Sequence, residues 1–185
     1  MFSIDDYKKA VSYFASRKQY FTIKNEGDDC ARVIFTNIFL NASKEIRIVA
    51  NTLRNDVVDS PEYQDSLTSF LSREGATLHI IIHNLPDNVG EETNTNVYRR
   101  LFLHPAYNEG RVVIKNAGAD RFFIEKKPVN FCVADGTMYR LENDIVKRTA
   151  ICNFGNPDKA VPLEKVFDEV FNSLDANVDL SLFFA

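Results

Sequence analysis

The chain has 185 residues and a mass of 21.1 kDa, 45% of them hydrophobic and 26% charged, the profile of one globular domain over residues 1–185. Its 7 Gly and 6 Pro are scattered, which excludes collagen-like, mucin-like and linker-dominated chains. With 22 Lys and Arg against 26 Asp and Glu the net charge is -4, so no global positive field favours nucleic acid, and binding to it would need a local patch.

Ser3-Ile4-Asp5-Asp6 reads as a helix N-cap, and Ile4, Tyr7, Val11 and Phe14 follow on one stripe to about Arg17. Gln19 to Ile23 is β-rich and Asn25-Glu26-Gly27-Asp28 a turn, which predicts a strand and then a helix from Asp29 to Asn41. That helix carries Ala31, Ile34, Phe35, Ile38 and Phe39 on its apolar face and leaves Arg32 and Asn37 toward solvent. Glu45 to Ala50 is the first core strand. Ser60-Pro61 caps a helix that Gly75 closes, and Thr77 to His83 is a nearly continuous apolar strand, which completes a βαβ unit.

A polar loop over 84–96 leads to a helix with Val97, Leu101 and Phe102 that stops near His104-Pro105, and Arg111 to Ile114 is a further strand. Arg121 to Glu125 and Asn130 to Ala134 read as strands joined across Lys126-Lys127-Pro128. Asp135-Gly136 signals a hairpin into Met138 to Leu141. Thr149 to Asn153 adds a strand, and Pro162 opens a C-terminal amphipathic helix bearing Leu163, Val166, Phe167, Val170 and Phe171. The class these elements define is α/β, with one mixed sheet flanked by helices.

Nucleotide-loop, zincin, EF-hand and nucleophile-elbow motifs are absent, and Cys30, Cys132 and Cys152 form neither a disulfide framework nor a zinc knuckle. No cofactor or metal is expected. The N-terminus lacks the features of a signal peptide and no apolar run reaches the roughly 18 residues of a membrane span, so a cytoplasmic protein is expected. His79 and His83 share a strand face, and His83 stands at the strand's C-terminal end, where open α/β sheets gather ligands. Lys126 and Lys127 are the turn cations best placed for a phosphate. The 15 Phe and 7 Tyr fall mostly on core stripes and do not interleave with basic residues as a base-stacking platform does.

The segment Asn130 to Gly136 (NFCVADG), with Ala150 to Leu174 downstream, resembles one half of the phospholipase D superfamily. In that family the hairpin carries H-x-K-x-x-x-x-D followed by Gly. Aligning Asp135-Gly136 with it puts Asn130 at the family's Lys and Pro128 at its His, while the Gly-Ser-x-Asn stretch gives way to Arg140-Leu141-Glu142-Asn143. The resemblance implies a site in which His forms a phosphohistidine and Lys neutralises phosphate, built from two motifs in one chain or across a homodimer. Here there is one motif, and only its Asp is kept.

The expectation that follows is a non-catalytic domain that binds a partner protein or a phosphate-containing ligand, with a homodimer in keeping with the family. Its candidate site residues are His83, Asn130 and Asp135, with Lys126 and Lys127 for phosphate. Two other readings stay open. One is a phosphodiesterase or nuclease led by His83, with Lys127, Asn130 and Asp135 in support. The other is an adaptor or sensor that uses its surface, for which the apolar ending over residues 179–184 is the cue.

Overall fold

The computed structural model describes residues 3–93, 95–118, 123–124, 127–175 and 177–184; of residues 123, 124, 127 and 128 only the strand is described. α1 (Ile4–Ser16) begins as expected, with the Ser3 hydroxyl accepting from the Asp6 N–H and Asp5 and Asp6 at the positive end of the helix dipole. Lys18, at φ 47°, then ends the helix, its N–H donating to the Ala15 carbonyl and that of Gln19 to Phe14. Because residues 18 and 19 are spent on that cap, β1 (Ile23–Glu26) forms later than expected, and the anticipated turn is divided between strand, at Asn25 and Glu26, and the start of the next helix, at Gly27 and Asp28.

α2 (Gly27–Asn41) follows without a break. Asn37, expected toward solvent, is buried: its Nδ2 donates to the Val33 carbonyl and its Oδ1 accepts from the Ser12 hydroxyl, which ties α2 to α1. β2 (Glu45–Ala50), α3 (Pro61–Leu71, capped by Ser60) and β3 (Thr77–Ile82) form the βαβ unit. α4 (Val97–Leu103), α5 (Pro105–Asn108) and β4 (Val112–Asn116) add a third parallel strand.

β5 (Phe123–Ile124) pairs with β6 (Lys127–Pro128) in a small ladder of its own, so Lys127 and Pro128 belong to a strand rather than to the expected connecting turn. β7 (Phe131–Ala134), β8 (Met138–Asp144) and β9 (Thr149–Asn153) are antiparallel. Asp135 and Gly136 turn β7 into β8 at φ 51° and 63°, with the Thr137 N–H donating to the Ala134 carbonyl, as a type I′ turn requires. α6 (Pro157–Ser173) starts five residues before the expected Pro162, because the Asn156 side chain caps it and Pro157 takes the first helical position. α7 (Ser181–Phe184) ends the described chain.

The main sheet has the order β1-β9-β8-β7-β2-β3-β4. Alternation along its strands divides the core. Ile46, Ile48, Leu78, Ile80, Cys132 and Ala134 pack under the layer of α1 to α5, while Val49, Ile81, Phe131 and Val133 meet Ala160, Leu163, Phe167 and Phe171 of α6. The C-terminal segment covers the β4 edge: the Val178 N–H donates to the Ile114 carbonyl, Leu180 is buried, and Phe184 lies against Phe102. The apolar ending thus packs on its own fold through Leu180 and Phe184, while Leu182 and Phe183 are exposed. No helix among the described residues is long and apolar enough to cross a membrane.

Candidate functional site

The loop after β2, the first turn of α2 and the start of β7 meet at the C-terminal end of the parallel strands, where an open α/β sheet leaves a crevice. They enclose a cleft of about 210 Å³. Its walls include Asn51, Thr52 and Arg54 after β2, Gly27 and Asp28 of α2, Asn130 before β7, Arg140 and Glu142 of β8, and Arg148 before β9.

The hairpin register makes the floor. Residue 130 lies opposite residue 142, and the Glu142 N–H donates to the Asn130 carbonyl. The side chains then join: Asn130 Nδ2 donates to Glu142 Oε2 at 2.7 Å, and Arg140 Nη2 lies 3.8 Å from Glu142 Oε1. Arg140, only 5% exposed, also donates from Nε to Asn25 Oδ1 at 3.1 Å and lies 5.0 Å over the Phe35 ring. Burial lowers its pKa, and the Glu142 charge offsets that only in part.

At the mouth, Arg148 holds Asp28 through two contacts at 2.9 and 2.7 Å. On the far side Arg54 pairs with Glu91 at 3.0 Å and Asp59 at 3.6 Å. Three guanidinium groups, two of them largely buried, therefore border the cleft beside the positive end of the α2 dipole.

Of the residues singled out from sequence, Asn130 lies in this cleft and two others do not. His83 directly follows β3, is 3% exposed, and donates its backbone N–H to the Ala50 carbonyl. Strand alternation continues the His79–Ile81 row, which puts its side chain toward α6, and it does not line the cleft. Asp135 stands at the opposite end of β7. There its carboxylate accepts the N–H groups of Ser43 (2.6 Å), Lys44 (2.9 Å) and Glu45 (3.0 Å) and the Ser43 hydroxyl (2.9 Å). Burial pushes that carboxyl up, but these bonds outweigh it and hold it below the usual carboxylate range. Asp135 fastens the hairpin to the start of β2. Lys126 lies outside the described residues, and Lys127 is described only as part of β6.

Arg54, Arg140, Glu142 and Arg148 carry the cleft and were not singled out as a site. Arg140, Lys147 and Arg148 are visible in the sequence as a basic group, yet nothing in a one-dimensional spacing joins them to Arg54. Cys132 and Cys152 are buried in the core with thiols pushed up to about 12 by burial, so neither is a poised nucleophile. Among the described residues no cluster of His, Cys, Asp and Glu could hold a metal ion.

No protein-family model matches the sequence, and no curated protein matches it. Solved structures do match in fold. Nuc from Salmonella typhimurium, a phospholipase D family member, superposes with a TM-score of 0.59 at 12% identity over 86% of this chain and 99% of its own. TrmBL2, an archaeal chromatin protein whose structure shows a novel mode of DNA binding, gives 0.57 at 12% identity over 85% of this chain and 53% of its own. Phosphatidylserine synthase of Haemophilus influenzae Rd KW20 gives 0.53 at 11% identity over 88% of this chain and 40% of its own. The chain has the phospholipase D-like fold, a mixed seven-stranded sheet between helical layers.

Proposed function

We propose that this domain works by binding, and that its cleft takes a phosphate-containing ligand without cleaving it. One observation carries the reading: Asn130, at the position of the family's Lys, commits its amide to Glu142 over a buried arginine, while the position of its His is Pro128. Proline has no lone pair to offer phosphorus, and a neutral amide does not offset the charge of a pentavalent transition state. The cleft keeps what an anion needs: Arg54, Arg140 and Arg148, and the α2 terminus. One buried donor there, Arg54 Nη1, has no hydrogen-bond partner among the described residues, the state a bound acceptor relieves.

Two assays on one preparation test this. Hydrolysis of bis(p-nitrophenyl) phosphate should stay at the buffer rate for both the wild type and His83→Ala. Inorganic phosphate should bind saturably, and Arg148→Ala should weaken it about tenfold, the loss of one charge-assisted hydrogen bond. Arg148 suits the test because it is 47% exposed and its removal leaves the core intact. Turnover that His83→Ala abolishes would replace this reading with a rearranged phosphodiesterase. Wild type without phosphate affinity would redirect the search to a protein partner.

A further inference from the structure

A second surface lies apart from the cleft, around the connection between α1 and β1. From residue 7 to residue 25 this acidic chain has no Asp or Glu, yet it carries Lys8, Lys9, Arg17, Lys18 and Lys24. Three large aromatic side chains are exposed in the same stretch: Tyr13 at 49%, Tyr20 at 68% and Phe21 at 51%. The sequence alone suggested no interleaving of rings and cations, because most of the Phe and Tyr fall on core stripes. Folded, these rings are exposed in the same short stretch as Arg17, Lys18 and Lys24, all exposed as well.

Two of these rings have a partner on one face. The Phe21 ring stacks on Phe14 with centroids 4.6 Å apart and an interplanar angle of 12°, so a further flat group can continue the stack on its outer side. The Arg17 guanidinium lies 4.0 Å from the centroid of the Tyr13 ring. The backbone beneath is held. Residues 18 and 19 cap α1, and Gly155 packs so closely on them that a Cβ there would run into the Lys18 carbonyl. Exposed rings on a fixed backbone lose little freedom when a partner arrives.

We infer that the α1–β1 connection is a platform for single-stranded nucleic acid. Exposed rings close in the chain to exposed cations suit a strand that offers both bases and phosphates, and stacking needs bases that a duplex keeps buried. A membrane surface fits less well, since the patch offers no exposed Leu, Ile or Trp to insert and the chain is net negative.

Fluorescence anisotropy with a labelled oligothymidylate over a salt series tests it, with Tyr20→Ala, Tyr20→Leu, Tyr20→Phe and Lys24→Ala. Tyr20 is so exposed that melting temperatures should be unchanged across the set. The wild type should bind at low salt, and Tyr20→Ala and Tyr20→Leu should each weaken binding about tenfold while Tyr20→Phe restores it. Lys24→Ala should lower the slope of log affinity against log salt by roughly 0.7. The inference is overturned by no binding at low salt or by Tyr20→Leu binding like wild type. Retention on phosphatidylglycerol vesicles without oligonucleotide binding overturns it as well, in favour of a membrane.

Discussion

At the scale of single residues, Asp135 of the hairpin turn and Asn130 at the start of the same strand do unrelated work. Asp135 collects three backbone N–H groups and a hydroxyl where β2 begins, so its removal leaves those donors without their acceptor. Asp135→Ala should cost about 2 kcal/mol in urea unfolding, and Asp135→Asn clearly less, since Asn keeps one acceptor oxygen and tolerates φ 51°. Because the folded carboxyl titrates below its unfolded value of about 3.9, its contribution is complete above that pH and is lost as pH falls through the folded value. Equal destabilisation by Ala and Asn would contradict the bonding described for Asp135. Asn130 and Asp135, read together from sequence as candidate site residues, flank the four-residue β7 and so stand at its opposite ends.

Among the elements, α6 is fixed to the sheet by Phe131, Phe167 and Phe171 and by an ion cluster in which Arg47 grips Asp168 at 2.8 and 3.1 Å. His79 lies within it, its ring stacked on Phe171 at 4.8 Å. Burial first, then the nearby Arg47 charge, lowers its pKa, against the pull of Asp168 and Glu45. The unfolded chain, titrating near 6.5, then binds more protons between the two values. The His79 contribution is therefore complete above about pH 6.5 and falls away as pH drops toward the folded value. His79→Phe, which keeps the stack, should flatten the urea midpoint across that window, whereas an unchanged pH profile would show that His79 does not couple α6 to protonation.

The same scale shows what was legible. α1, α3, β2 and β9 could be read from caps and periodicity, because each is a local signal. The side chain opposite Asn130 could not. A two-residue loop at Asp135-Gly136 would pair residue 130 with Leu141, but Ala134 pairs with Met138, and that one extra residue brings Glu142 over instead.

For the whole molecule, the resemblance that pointed to the phospholipase D-like fold rested above all on the segment Asn130 to Gly136 with Ala150 to Leu174 downstream, and the order of helices and strands agrees with it. The cleft was not legible, because Arg54 comes from the loop after β2, Arg140 from β8 and Arg148 from the turn before β9, and they meet only once the sheet has formed. Its central claim is binding without turnover. The most direct measurement is an NMR titration of the protein with inorganic phosphate, following the side-chain amide of Asn130 and the guanidinium signals. Binding in the cleft predicts a saturable shift of the Asn130 amide as its bond to Glu142 is disturbed, together with shifts at Arg140 and Arg148. No shift at these groups at any phosphate concentration would contradict it.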